Sequence, residues 1–223
     1  MHVLIPAAGS GSRMRAGKNK LLIKLEGESL IYWTLKSIFS SSLVSWVGII
    51  GQPNDKEELL NSAKDFSDKV KWINGGKTRQ ESVFNGLKCL PSNAEKVLIH
   101  DGARCLINPK LIDKCAIELE KNDAVILATK VTDTIKIVND KGYIKETPDR
   151  RYLWAAQTPQ GFSVERLKKA HKLAVEKNWT VTDDSSLFEM LNWDVKIIEG
   201  NYQNIKITSP LDLKIARIFL KDD

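Results

Sequence analysis

The sequence predicts an α/β protein built on a doubly wound, mostly parallel sheet, with a β-hairpin arm protruding from it. Three observations carry that prediction. Short apolar runs alternate with segments of helical periodicity along most of the chain. Glycine-rich or polar segments follow several of those runs at once. The alternation then breaks after Thr134, where two short β-prone runs flank the turn Asn-Asp-Lys-Gly.

Residues 2–5, 46–50, 70–73, 97–99 and 124–128 are nearly continuous apolar runs. That is the pattern of strands covered on both faces. Between them, Leu30–Phe39 is apolar on one face, and 55–66 is mostly polar outside. Thr78 and Glu81 have capping-box spacing ahead of Val83, Phe84 and Leu87. Asn108 and Pro109 combine an N-cap with a proline at the first helical position. Leu111, Ile112, Cys115, Ala116 and Leu119 then fall on one stripe.

Runs 135–138 and 143–145 form the predicted hairpin. An arm of this size, residues 135–155, buries little by itself. It lies on its own domain or packs on another subunit, and Tyr152, Leu153 and Trp154 suit the second. The chain then returns to the domain, with helices over 163–177 and 182–191 and a strand over 194–199. Ser209 and Pro210 open the last helix, with Leu213, Ile215, Ala216 and Phe219 facing in. No repeat, low-complexity tract or linker divides the chain, so residues 1–223 read as one domain with the arm inside it.

Composition narrows the class. The chain has 223 residues, 42% hydrophobic and 28% charged, which is ordinary for a globular protein. Net charge is +6. No long Lys/Arg block occurs, and aromatics are not interleaved with basic residues, so a nucleic-acid partner is not expected. Cys89, Cys105 and Cys115 are odd in number and form no CxxC pair, which argues for a reducing compartment. The opening run is short and uncharged for a signal peptide, and no stretch approaches the roughly 20 apolar residues of a membrane span. The expectation is a cytoplasmic protein. A removed transit peptide, which would mean a plastid location, would not show in this sequence.

Polar segments follow four strands: PAAGSGSR, NGGKTRQES, HDGARC and TKVTDT. In an open parallel sheet, ligands bind outside the carboxyl ends of the strands, so these segments should meet at one crevice. Each alone is weaker. GSGSRM has Met14 where a dinucleotide fingerprint needs its third glycine, and it is no P-loop. An ordinary turn explains it as well, but Arg13, Arg15, Lys18 and Lys20 follow directly. Loop amides with Arg13 and Lys20 make a cradle for a polyphosphate. Thr78 and Glu81 need only cap a helix, with Ser82 facing the crevice. Asp101 and Arg104 serve a site or a strand-end salt bridge. Thr182 reads equally as an N-cap, and Lys206 as a solvated strand end. His2, His100 and His171 have no ligand spacing, and no Ser/His/Asp set is legible.

Seven motifs in fixed order now bear on function: PAAGSGSRM with NK, GG.TRQESV, HDGAR, VTDTIK, DR..LW..QTPQ.F, TDDSS and NIKIT.P.DL. Together they resemble the 2-C-methyl-D-erythritol 4-phosphate cytidylyltransferase family over nearly the whole chain. Ribitol-5-phosphate cytidylyltransferases share much of this, and the Pro-Ala-Ala-Gly opening favours the first family. Cys105 departs from a frequent proline.

The resemblance implies a Rossmann-like nucleotidyltransferase domain, a homodimer that exchanges the hairpin arm, CTP as substrate, and Mg²⁺ or another divalent cation. Carried over by motif, Ala7, Ala8, Gly9, Gly11, Gly76, Ser82, Asp101 and Gly102 would line the nucleotide site. Arg13 and Lys20 would hold the triphosphate and the transition state. Asp101, Arg104, Thr134, Arg150, Thr158 and Thr182 would meet the sugar-alcohol phosphate. Arg150, from the partner's arm, and Lys206 would position the attacking phosphate. The metal ligands are unknown. A non-catalytic nucleotide-binding regulator is the alternative of another class, and the full cation set speaks against it.

Overall fold

The computed structural model describes residues 1–9 and 19–222. The chain opens with β1 (His2–Pro6) and, after a 3-10 turn at Lys20–Leu22, forms the small pair β2 (Lys24–Leu25) and β3 (Glu28–Ser29). It continues through α1 (Leu30–Phe39), β4 (Trp46–Gly51), α2 (Lys56–Ser62), β5 (Val70–Asn74), α3 (Arg79–Lys88), β6 (Lys96–Ile99), α4 (Pro109–Glu118) and β7 (Ala124–Lys130). The hairpin strands are β8 (Ile137–Val138) and β9 (Ile144–Glu146). Then come β10 (Trp154–Ser163), α5 (Val164–Glu176), α6 (Ser185–Met190), β11 (Lys196–Glu199) and α7 (Pro210–Asp222).

The main sheet has strand order β11-β7-β10-β6-β1-β4-β5. β1 pairs in parallel with both β4 and β6, and β4 with β5. The chain therefore leaves β1 toward one edge and returns to β6 on its other side. This is a topological switch point, and the crevice it opens lies beyond Pro6 and Ile99. Alternate residues of each strand feed two cores. Val3, Ile5, Val47, Ile49 and Leu98 pack with Ile31, Leu35, Ile112 and Cys115 of α1 and α4. Leu4, Ile50, Val97 and Ile99 pack with Val83, Leu87, Leu167 and Phe188 of α3, α5 and α6.

The caps act as their residue types dictate. Thr78 accepts from the Glu81 amide at 3.0 Å, and Asn108 from the Lys110 amide at 2.9 Å. In the hairpin turn, Asn139 accepts from the amides of Lys141 and Tyr143, each at 3.0 Å, and Gly142 takes φ +82°.

Two features depart from the sequence expectation. The stretch after Leu153 is not a plain return but the strand β10, antiparallel to both β6 and β7. Pro159 inside it and its buried Gln157, Thr158 and Gln160 disguise it, because proline and polar residues argue against an interior strand. The sheet absorbs the proline where the β10–β7 register shifts, between Ala156 and Gln160. The helix expected from Thr182 starts instead at Ser185. Asp183 turns the chain first, accepting from the Ser186 amide at 3.2 Å.

Candidate active site

Four segments meet at the switch point. The first is the loop after β1. The Ala7 amide donates to the Ile50 carbonyl at 2.7 Å. Asn19 Nδ2 donates to the Ala7 carbonyl at 2.7 Å and to Asp55 Oδ2 at 2.8 Å, which brings the loop's two ends together. Gly11 and Arg13 lie outside the described residues.

The second follows β5. The Gly76 amide donates to Ser82 Oγ at 2.9 Å, and that hydroxyl donates to the Thr78 carbonyl at 2.8 Å. Ser82 thus folds the turn that presents the N-terminus of α3. Glu81 completes it by accepting from the Lys77 amide at 2.7 Å.

The third follows β6. Arg104 N donates to the Asp101 carbonyl at 2.9 Å, closing a turn. Gly102 is needed there, since a Cβ would come within 2.7 Å of Leu21 Cδ1. The fourth is the loop after β11. Fully buried Asn204 donates to the Thr158 carbonyl at 2.9 Å, and Ile207 N donates to the Ala103 carbonyl at 2.8 Å. These bonds bring Lys206 Nζ to 2.9 Å from Asp101 Oδ2.

The result is one cavity of about 430 Å³, lined among others by Ala7, Ala8, Gly9, Lys20, Gly76, Ser82, Asp101, Gly102 and Lys206. Its described lining carries four cations, Lys20, Lys77, Arg79 and Lys206, against one carboxylate, Asp101. Burial alone would push the Asp101 carboxyl up, but Lys206, Arg79 and Arg104 outweigh it and hold it down at about 2. Asp101 is therefore ionised at neutral pH, and the walls are positive overall.

Other expected residues stand apart. Arg104 is not part of the described lining; its Nε lies 3.5 Å from Asp101 Oδ2, and its Nη1 donates to the Asn204 carbonyl at 2.8 Å. Thr158 is buried, and its Oγ accepts from the Asp101 amide at 2.9 Å. Thr134, Arg150 and Thr182 are exposed and outside the described lining. Arg150 donates to the Thr132 carbonyl of its own arm at 2.8 Å.

Sequence reasoning missed Asn19, Arg79, Asp184 and Asn204. Arg79 Nη1 lies 2.8 Å from Asp184 Oδ2, and His171 Nε2 donates to Asp184 Oδ1 at 3.2 Å. Full burial pushes the Asp184 carboxyl up, yet Arg79 and His171 pull it below its ordinary value. The signal for Arg79 is its place in TRQES, a stretch that capping by Thr78 and Glu81 accounts for without it.

A cavity of this charge at a switch point suits a polyphosphate and a second anion. Over the same residues, the family model described as IspD: 2-C-methyl-D-erythritol 4-phosphate cytidylyltransferase matches 1–222. The chain belongs to this family. It is 80% identical to the 2-C-methyl-D-erythritol 4-phosphate cytidylyltransferase of Prochlorococcus marinus subsp. pastoris, over 100% of both chains. It is 53% identical to that of Parasynechococcus marenigrum, covering 99% of this chain and 97% of the relative. Among solved structures, the 4-diphosphocytidyl-2C-methyl-D-erythritol synthase of Anaerococcus prevotii matches with TM-score 0.89 and 33% identity, covering 99% and 97% of the two chains. The Thermus thermophilus cytidylyltransferase matches with TM-score 0.81 and 27% identity, over 99% and 98%. Membership in the cytidylyltransferase family makes the chain a nucleotidyltransferase enzyme.

Among the described residues, no three His, Cys, Asp or Glu side chains gather to hold a metal. Asp101 is the only carboxylate of the described lining and is already paired with Lys206. That donor set fits Mg²⁺ only as an ion carried by substrate phosphates, the usual habit of Mg²⁺. No helix among the described residues is long and apolar enough to cross a membrane.

Proposed function

We propose that the cavity at the switch point is where this methylerythritol-phosphate cytidylyltransferase of isoprenoid biosynthesis joins its two substrates. A phosphate oxygen of 2-C-methyl-D-erythritol 4-phosphate attacks the α-phosphorus of CTP. The new P–O bond forms as the α–β bond breaks, and pyrophosphate leaves with the bonding electrons. The attacking phosphate is already ionised near neutral pH, so no general base is required. The obstacle is repulsion, roughly 4 kcal/mol per pair of unit charges at 4 Å and an effective dielectric near 20. Fixed cations are what the reaction needs, and four cations against one carboxylate is the observation that carries this reading.

In this reading Ala7, Ala8, Gly9, Gly11 and Gly76 leave room for the nucleotide, while Ser82 shapes the turn beside it. Arg13 and Lys20 hold the triphosphate. Asp101 and Arg104 meet the sugar-alcohol phosphate, and Lys206 positions it. Thr134 and Thr182 meet the same substrate. Mg²⁺, entering with CTP, would shield the leaving pyrophosphate. Arg150 comes from the partner subunit of a cytoplasmic homodimer. The exposed Ile137, Val138, Tyr143, Ile144 and Tyr152 support that assembly, because this apolar surface has little to cover it within the chain. Pyrophosphate release measured over a panel of nucleoside triphosphates tests the reading. CTP with methylerythritol phosphate should turn over best. Equal or faster turnover with ribitol phosphate, or none with either, overturns it.

A further inference from the structure

We propose that His100 is a positioning residue for this reaction: as a neutral ring protonated on Nε2, it clamps the turn 101–104 to β10 and so sets where Asp101 and Arg104 stand. The inference rests on the proposed role of those two residues toward the sugar-alcohol phosphate.

His100 is 1% exposed and follows β6 directly at the switch point. Its Nε2 lies 3.2 Å from the Arg104 carbonyl. A carbonyl only accepts, so Nε2 carries the hydrogen. Its Nδ1 lies 3.1 Å from Thr158 Oγ1, and the same oxygen accepts from the Asp101 amide at 2.9 Å. With Nδ1 bare, the Thr158 hydroxyl donates to it, and every hydrogen of the chain is used once. With both nitrogens protonated, Thr158 Oγ would accept twice, and its own buried hydrogen would need another acceptor. Charge balance agrees. Burial opposes the cation most strongly, and Arg104 opposes it too. Asp101 favours it, but the ring's pKa is held down to about 4.

The two ring nitrogens therefore hold both ends of one turn, Arg104 directly and Asp101 through Thr158. The Thr158 carbonyl meanwhile accepts from Asn204, whose own carbonyl accepts from Arg104 Nη1. The clamp thus ties the end of β6, β10 and the Lys206 loop into one unit. It also spends the Thr158 hydroxyl inward. Thr158, which family resemblance places against the substrate, acts here by placing Asp101.

Two measurements test this on the whole enzyme. Long-range proton–nitrogen NMR of the ring-labelled protein resolves three histidines. His100, assigned by its loss in His100→Gln, should show a neutral Nε2–H ring from about pH 6 to about pH 8. An Nδ1–H or cationic ring overturns the proposal, and this readout needs no substrate. In kinetics, Thr158→Val should raise the KM for methylerythritol phosphate about tenfold and leave the CTP KM within about twofold, as for one lost hydrogen bond. Thr158→Ser should restore it. His100→Gln should behave like Thr158→Val, and the double variant no worse than the weaker single one. Wild-type KM values in folded Thr158→Val, equal rises for both substrates, or additive losses overturn the clamp. Asp101→Asn with an unchanged KM would instead sink the substrate role given to Asp101.

Discussion

Asn19 closes the first loop on itself. Its amide donates to the Ala7 carbonyl at 2.7 Å and to Asp55 at 2.8 Å, while its Oδ1 accepts from the Leu21 amide at 3.1 Å. Lys20 sits between Asn19 and Leu21, so a latch holds this cation at the cavity wall. Asn19→Ala should leave buried backbone groups without partners, costing about 1–3 kcal/mol and several degrees in Tm. Turnover should fall as Lys20 loses its anchor. Asn19→Asp should be no better than alanine, because it points a carboxylate at a carbonyl and at Asp55. Calorimetry with kinetics checks both; a fully stable, fully active Asn19→Asp enzyme would refute the latch.

Lys206 and Asp101 form the second relationship to probe. Lys206→Gln should lower kcat/KM by about 10²–10³, as for loss of one fixed charge-stabilising donor. The pair also makes a pH prediction. Asp101 is held at about 2 in the folded enzyme against 3.8 for an unperturbed aspartate. The unfolded chain thus takes up its proton first, so the stabilisation is full above about pH 5 and drains away as pH falls toward about 2. Lys206→Gln should flatten that acid limb of the denaturation curve. An unchanged limb would show that Lys206 does not hold the carboxylate.

His100 titrates in a different window. Its folded pKa of about 4 lies below the ordinary 6.5. Between these values the unfolded chain binds a proton that the folded one refuses, so the ring destabilises the enzyme as pH falls from about 6.5 toward about 4. His100→Gln removes this contribution. Its stability relative to the parent should improve across that interval and level off below it. A constant difference from pH 7 to pH 4 would mean the ring is not held neutral.

Much of the frame was legible in the residues. Strands buried on both faces lack alternation, which made β1, β4, β5, β6 and β7 visible, and Thr78 and Asn108 announced their helices. The convergence of Ala7, Lys20, Gly76 and Asp101 followed from the rule that parallel strands present their carboxyl ends together; Lys206 came only with the family resemblance, and the segment after β7, expected at the same crevice, leaves Thr134 outside the described lining. What escaped was whatever depends on a distant partner. Nothing local tells that Gln157, Thr158 and Gln160 sit in an interior strand, because the Gln157 amide, the Thr158 hydroxyl and Gln160 Nε2 are answered by the distant Asn201, Asn204, His100 and Asp183. Asp184 likewise carries no local sign of the Arg79 and His171 that close on it.

That buried group should be unforgiving. Asp184 is 1% exposed and meets Arg79 and His171. Removing one partner of a buried ion pair costs about 3–5 kcal/mol, because a buried charge loses its compensation. Arg79→Leu should therefore destabilise strongly, since it leaves the buried Asp184 carboxylate with His171 but without its guanidinium partner. The double variant Arg79→Leu with Asp184→Asn should recover part of the loss. Because Arg79 also lines the cavity, both should raise the CTP KM even where stability recovers. Chemical denaturation separates the two effects, and additive losses in the double variant would argue against the pairing.

The arm supplies the last prediction. Arg150 lies outside the described lining of its own chain's cavity, on a segment whose apolar side chains are exposed. If it serves the partner's cavity, Arg150→Ala and Lys20→Ala damage different halves of one site. Each pure variant should be nearly inactive. In a mixed dimer, one site combines intact Lys20 with intact Arg150, and the other carries both lesions. Random exchange makes half the dimers mixed, each with one good site of two, so activity should return to roughly a quarter of the parent's. Ile144→Asp in both chains should weaken association and abolish that rescue. Mass measurement by light scattering must first verify that subunits exchange. An exchanged mixture with no recovery would place Arg150's work in its own subunit.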